Sequence, residues 1–244
     1  MVGVATKDSG PRATTIRFGP AAVTWLVGFM VGMGLAGQLV LIALGVDGDD
    51  YTIPQIALSI VVSWAVFIAA MAYTSNRYGT GDTFGDFVDH YALKFRPIDL
   101  VGFPAGALLQ LVVVPLIYVP LRELWPDTFS ESELEERAQE LADKADGWTV
   151  VLLFLVVAIG APVVEELVYR GLLQRSMARV TGAAAALVLT AAWFSLIHFT
   201  PVEYPGLFAA GLGFGAGLLL TDRIGPSIVT HAAFNCTGLT LALW

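Results

Sequence analysis

The sequence is poor in charged residues, which make up only 14% of its 244 positions. Soluble domains contain about 25% charged residues, so this scarcity excludes an ordinary soluble protein. The single cysteine, Cys236, excludes an intrachain disulfide. Only 13 residues are Lys or Arg and the net charge is −8, which argues against nucleic-acid binding. Because 56% of the residues are hydrophobic, the composition predicts an integral membrane protein whose surroundings are the lipid bilayer.

Long apolar runs make up most of the sequence, and runs of about 17–25 residues predict membrane-spanning helices. We expect an all-α, polytopic transmembrane helix bundle of about seven spans, with the last four closely spaced. The acidic stretch S-E-S-E-L-E-E-R-A-Q-E-L-A-D-K predicts an amphipathic helix before the fourth span. The predicted spans are 20–45, 54–74, 98–121, 148–175, 183–200, 205–221 and 225–243.

This pattern divides the chain into four parts. We expect a polar N-terminal tail at 1–19, a three-span scaffold at 20–121, an acidic connecting segment at 122–147 and a four-span C-terminal domain at 148–244. The C-terminal domain is the part in which ionisable residues interrupt the apolar runs.

Basic residues in the connections predict the orientation, because they favour the cytoplasmic side. The 75–97 connection contains Arg77, Lys94 and Arg96, whereas the 46–53 connection contains no basic residue. We therefore expect a multi-pass protein of the cell membrane, with its N-terminus in the cytoplasm and its C-terminus outside.

A charged motif lies at Pro162–Gly171, which reads P-V-V-E-E-L-V-Y-R-G. Ionisable groups at bilayer depth cost about 2.5–3.5 kcal/mol each on insertion scales and usually mark function. Glu166 and Arg170 are four residues apart with the acid first, which favours an ion pair on a helix. Glu165 points about 100° away, on the face of Tyr169. Glu166 is therefore predicted to be structural, and Glu165 to be a candidate general base.

Histidine is scarce, and two of the three histidines lie in apolar runs. His90 lies in a polar connection and is predicted to be a surface residue. His198 follows Phe194 by four residues in W-F-S-L-I-H-F, and His231 precedes Asn235 by four in H-A-A-F-N. On helices, each pair shares a face. We expect the two imidazoles, the carboxamide and the glutamates to form one site.

A helical hairpin is predicted to bring two of these groups together. Glu165 and His198 each lie about 16 residues from a turn at Thr181–Gly182, or roughly 24 Å along antiparallel helices. A base that activates water and donors that stabilise an oxyanion would supply the parts for amide hydrolysis. Two alternatives stay open, which are a proton-coupled transporter that uses a Glu/His relay and a non-catalytic immunity or adaptor protein.

Three motifs of this sequence, taken in chain order, resemble those of a known family. The family is the CPBP intramembrane proteases, also called the CAAX protease and bacteriocin-processing (Abi) family, and the sequence is similar to its type II CAAX prenyl endopeptidases. The motifs are E-E-x-x-x-R, F-x-x-x-H and H-x-x-x-N, and the resemblance covers about 148–244. It implies a catalytic domain there. The site residues that it assigns are Glu165, Glu166, Arg170, His198, His231 and Asn235.

The resemblance also implies a role for each site residue. Glu165 with His198 would activate water, and His231 with Asn235 would stabilise the oxyanion. The second glutamate and the arginine of the first motif would hold the site together. The reaction implied is endopeptidase cleavage of a membrane-associated peptide, either a prenylated CAAX peptide or a bacteriocin-like peptide.

Cofactor use has two possible forms. In one, a divalent metal such as zinc is held by Glu165, His198 and His231, which match an open catalytic zinc site in number and type. In the other, the same glutamate acts without a metal. The residues fit both forms.

Overall fold

The fold is described from a computed structural model that covers residues 16–48, 50–130 and 139–244. Within these ranges the chain forms helices and no strand, which confirms the all-α prediction. The predicted N-terminal tail lies almost entirely outside the described residues. So does most of the predicted acidic helix, of which a helical stretch at 139–143 is described.

The described residues form eight named helices. In chain order they are α1 (Phe18–Ala43), α2 (Ile53–Tyr78), α3 (Phe84–His90), α4 (Pro97–Leu124), α5 (Trp148–Thr181), α6 (Ala183–Leu196), α7 (Pro201–Thr221) and α8 (Gly225–Leu243).

Five of the described helices, α1, α2, α4, α5 and α7, are long and apolar enough to cross a membrane. The chain is therefore a multi-pass membrane protein. The count is lower than the seven spans expected from the sequence. Helix α6 has only 14 residues and ends at Leu196, before His198. Helix α8 has 19 residues but carries polar side chains such as Ser227 and Thr230 along its length.

Helix α5 carries the charged motif and is the longest described helix. Its 34 residues correspond to about 51 Å, more than the ~30 Å hydrocarbon core. It runs without a break through Pro162, and two stretches of wide, π-helical turns, Phe154–Gly160 and Leu167–Gln174, lie on either side of the glutamates. Such turns are frequent at functional sites. Gly182, at φ 85°, then reverses the chain into α6, as the hairpin prediction required.

Helix α8 is held in place at its N-terminal end by the first turn of α4 and by the connection before it. The guanidinium of Arg223 donates from Nε to Asp99 Oδ1 at 3.0 Å, and Ile224 N donates to the carbonyl of Ala92 at 2.9 Å. The hydrogen bonds that Arg223 donates to the Asp99 carboxylate raise the pKa of Arg223, so this cation stays charged. These contacts fix the start of the helix that carries His231.

Candidate active site

Glu166 is fully buried, and its carboxylate contacts the side chains of two other residues of the predicted site. Its Oε1 accepts a hydrogen bond from His231 Nδ1 at 2.8 Å, and its Oε2 lies 3.1 Å from Arg170 Nε. The second contact is an ion pair by distance without hydrogen-bond alignment. The ion pair predicted from the four-residue spacing is therefore confirmed. Glu166 links α5 to α8.

Arg170 extends this link to α6 and α7. Its Nη2 donates to the carbonyl of Gly211 at 2.9 Å, and its guanidinium lies 5.1 Å from the ring centre of Phe194 and 5.5 Å from that of Phe214. A buried ion costs several kcal/mol of desolvation unless such contacts offset it. The carboxylate, the carbonyl and two aromatic faces offset part of that cost, since Nε and Nη1 have no hydrogen-bond partner among the described residues.

His231 lies between the two adjacent carboxylates. Its ring stacks on Phe214 at 4.2 Å and meets the edge of Phe194 at 5.7 Å, which restricts its rotation. Because the carboxylate of Glu166 accepts, Nδ1 carries a proton, and Nε2 then lies 3.7 Å from Glu165 Oε2. This arrangement aims Nε2 at the other glutamate.

His198 lies just beyond α6 rather than inside a span. Its Nδ1 is 2.7 Å from the carbonyl oxygen of Phe194. A carbonyl only accepts hydrogen bonds, so Nδ1 carries the proton and Nε2 is the basic nitrogen of the neutral ring. The next residue, Phe199, has φ 55°, a left-handed conformation that is unusual for an aromatic residue and is often found at functional sites.

Asn235 lies one turn after His231 on α8. Its Nδ2 donates to the carbonyl of Val157 at 2.9 Å, in the first wide-turn stretch of α5. An amide nitrogen carries two hydrogens, so this bond orients the group and leaves a second donor.

A cavity of about 640 Å³ brings four of the six site residues together: Glu165, His198, His231 and Asn235 line it. Glu166 and Arg170 lie behind the wall, with 0% and 1% of their side chains exposed, whereas the Glu165 side chain is 30% exposed. The adjacent glutamates therefore face different environments, one the protein interior and the other the cavity.

The segment that supplies this site has known relatives. Residues 147–237 match the family model described as Rce1-like, type II CAAX prenyl endopeptidase. This segment is similar to that family, and we refer to it as the Rce1-like domain. It contains all six site residues, and the family supports an intramembrane CAAX-type endopeptidase, a hydrolase, in general terms. The comparisons with curated proteins and with solved structures find no match.

The Rce1-like domain does not enclose the cavity alone. Helices α1 and α2, which we expected to be scaffold, supply one wall through residues that include Phe29, Gly34, Gln38 and Trp64. Trp25 anchors α1 to the domain through an edge contact with Trp193 at 4.9 Å. The sequence analysis did not predict this wall. The one feature of the sequence that could have indicated it is Gln38, a polar residue in an apolar run.

His90 is buried, so the prediction of a surface residue is wrong. Its side chain is about 5% exposed, Nδ1 lies 2.6 Å from Ser75 Oγ, and Nε2 accepts from the backbone N–H of Thr80 at 3.0 Å. The ring closes the turn after α2 by satisfying groups at the helix end. The polar connection that contains His90 is therefore a buried turn, and it lies outside the Rce1-like domain.

The predicted metal ligands have suitable chemistry but are not clustered. Each histidine is oriented through Nδ1 by an oxygen, as metal-ligating histidines usually are. Among the described residues, however, no three His, Cys, Asp or Glu side chains are grouped closely enough to hold one ion. As arranged here, the set does not fit a shared ion.

Proposed function

We propose that this protein is an intramembrane endopeptidase that hydrolyses a peptide bond in a membrane-associated substrate. The observation that carries the proposal is the convergence of a carboxylate, two imidazoles and a carboxamide in one cavity with largely apolar walls. An apolar site strengthens electrostatic interactions with a transition state. The Rce1-like match to the same segment supports this reaction class.

The first step is activation of water by Glu165 and His198. Glu165 takes one proton from the water, and the basic Nε2 of His198 accepts a hydrogen bond from the other. The resulting hydroxide adds to the carbonyl carbon of the scissile peptide bond, and its electron pair forms the new C–O bond. General-base catalysis of this kind contributes about 10²–10⁴-fold.

The carbonyl oxygen then becomes an oxyanion, which His231 and Asn235 stabilise. Asn235 donates the second hydrogen of Nδ2, and His231 donates from Nε2 when both ring nitrogens are protonated. Carboxylates face both of those nitrogens, at 2.8 and 3.7 Å. Collapse of the intermediate breaks the C–N bond, and the proton held by Glu165 passes to the departing amine.

Glu166 and Arg170 act on the reaction by positioning. They hold the plane of the His231 ring, so that Nε2 faces the cavity. A donor aimed in advance at the oxyanion is typically worth about 3–4 kcal/mol in a water-excluded site.

A divalent metal remains a separate prediction. No step above depends on it, since Glu165, His198 and His231 are not grouped as a ligand set.

The substrate class that we propose is a prenylated CAAX peptide, with a bacteriocin-like membrane peptide as the second candidate. The family description names the first class. The cavity, about 640 Å³ with an apolar lining, is compatible with a hydrophobic chain or with apolar side chains beside the scissile bond.

Cleavage of a fluorogenic prenylated CAAX peptide by detergent-purified protein tests the proposal. We expect the wild type to cleave, Glu165→Gln to lose cleavage, and the exposed-acid control Glu123→Gln to retain it. A strong chelator added to the wild type distinguishes the metal-dependent form from the metal-free one. Full activity of a folded Glu165→Gln variant would overturn the mechanism. A folded wild type that cleaves no prenylated peptide but cleaves an apolar membrane peptide would replace the substrate class.

A further inference from the structure

Gln38 is a polar side chain in the apolar helix α1, whose mean hydropathy reaches 2.1. It lines the cavity that contains Glu165 and Asn235. Among the described residues it has no hydrogen-bond partner, and its side chain is exposed. A primary amide that an entering substrate shields from water incurs a desolvation penalty unless it gains another hydrogen-bond partner. A partner that enters the cavity would remove this penalty.

The direction of Gln38 is set by contacts that α1 makes with α2 on an adjacent face. Ser59 Oγ donates to the carbonyl of Gly37 at 2.9 Å, and Ser63 Oγ donates to the carbonyl of Gly32 at 3.0 Å. A Cβ on Gly32 would lie 2.9 Å from the carbonyl oxygen of Ser63, so α1 and α2 are in close contact there. These contacts fix the rotation of α1, and the residue after Gly37 is turned away from α2.

Space is available beside Gln38. Gly34, one turn earlier, also lines the cavity, and a Cβ added there would meet only the carbonyl oxygen of Phe29, at 3.7 Å. The wall is therefore recessed next to the amide. An extended peptide could approach α1 at this point without displacing a side chain.

We propose that the Gln38 side chain binds one peptide unit of the substrate, with its NH₂ group donating to a backbone carbonyl and its oxygen accepting from a backbone N–H. A substrate peptide inside the membrane has backbone groups that water cannot satisfy, and a carboxamide is the side chain that can pair with both at once. This role rests on the proposed endopeptidase function and makes Gln38 a substrate-positioning residue supplied from outside the Rce1-like domain.

Gln110 provides a matched control. It is also a glutamine in an apolar spanning helix, α4, and it too has no hydrogen-bond partner among the described residues. It packs beside Gly238 and does not line the cavity. Replacing each glutamine by leucine removes the same amide from the membrane, but only one replacement changes the cavity.

The test is steady-state cleavage of the prenylated CAAX peptide by the full-length chain. We expect Gln38→Leu to raise KM about tenfold with kcat near the wild-type value. A tenfold change corresponds to about 1.4 kcal/mol, the size of a hydrogen-bonding contribution. Gln38→Asn, which keeps the amide, should recover part of this loss, and Gln110→Leu should leave KM unchanged.

A second measurement separates binding from chemistry. In a Glu165→Gln background, fluorescence anisotropy of the intact labelled peptide should show about tenfold weaker binding when Gln38→Leu is added. An unchanged KM and Kd for Gln38→Leu, or an equal effect of Gln110→Leu, would refute the Gln38 role while leaving the proposed function intact. A wild type that neither binds nor cleaves any membrane peptide would refute both.

Discussion

The buried pair Glu166–Arg170 leads to the prediction that one variant will keep the stability of the protein while losing its activity. Arg170→Met keeps an unbranched side chain but leaves the Glu166 carboxylate, which is 0% exposed, without its cation. Breaking a buried ion pair from one side typically costs about 3–5 kcal/mol. Replacing both partners, with Glu166→Gln and Arg170→Met together, removes the unpaired charge and should restore most of the stability.

Thermal unfolding in detergent measures the first part of this prediction. For a chain of this size 1 kcal/mol shifts the midpoint by about 2–4 °C, so Arg170→Met should lower it by roughly 6–20 °C. The double variant should unfold within a few degrees of the wild type. An exposed pair, Lys94 with Asp89 at 2.5 Å, serves as the control, since Lys94→Met should cost no more than about 1 kcal/mol.

Peptide cleavage measures the second part. The neutral amide in the double variant can still accept from His231, but it no longer places a negative charge beside Nδ1 of the imidazole. We expect kcat to fall about 10²–10³-fold, the cost of losing an oxyanion donor, although the fold is stable. An Arg170→Met variant as stable as the wild type would refute the burial argument. A double variant with full activity would refute the positioning role of Glu166.

Three further predictions follow from the cavity and its surroundings. Asn235→Ala should lower kcat about 10²–10³-fold with little change in KM, because it removes a transition-state donor. A rise in KM with an unchanged kcat would contradict this. Gly34→Leu should fill the recess and abolish cleavage with the fold intact, whereas Gly19→Leu, where a Cβ meets nothing within 4 Å, should have no effect. Equal activity of the two variants would argue against substrate beside α1. Compartment-specific reporters fused to each terminus should place the N-terminus in the cytoplasm and the C-terminus outside, and the reverse pattern would overturn the orientation read from the basic residues.

Local features of the site could be read from the sequence because they depend on helical spacing. The four-residue separation of Glu166 and Arg170 is enough to predict their ion pair. The turn at Gly182 follows from a glycine between two apolar runs, since φ 85° favours glycine. The grouping of the two histidines with Glu165 followed from the motifs in order, and the structure places all three at one cavity.

Long-range features could not be read in the same way. Apolar residues that face lipid and apolar residues that line a cavity look alike in a sequence, so the wall formed by Phe29 and Trp64 was hidden. The end of α6 at Leu196 was hidden as well, because the apolar run continues to Phe199 without a break. His90 appeared to be exposed because its partners, groups at the end of α2, come together only in the folded chain.

The adjacent glutamates show why a membrane enzyme would keep a buried ion pair at all. Apolar residues of similar volume are often as stabilising as a buried pair or more so, hence stability alone does not explain Glu166 and Arg170. The pair does what apolar residues cannot, because a carboxylate oxygen 2.8 Å from His231 Nδ1 accepts its hydrogen and fixes the orientation of the ring. One helical step of about 100° then leaves Glu165 in the cavity, 3.7 Å from the other nitrogen. Two neighbouring residues of one helix thus face the two nitrogens of one imidazole, and the proposed mechanism uses both carboxylates.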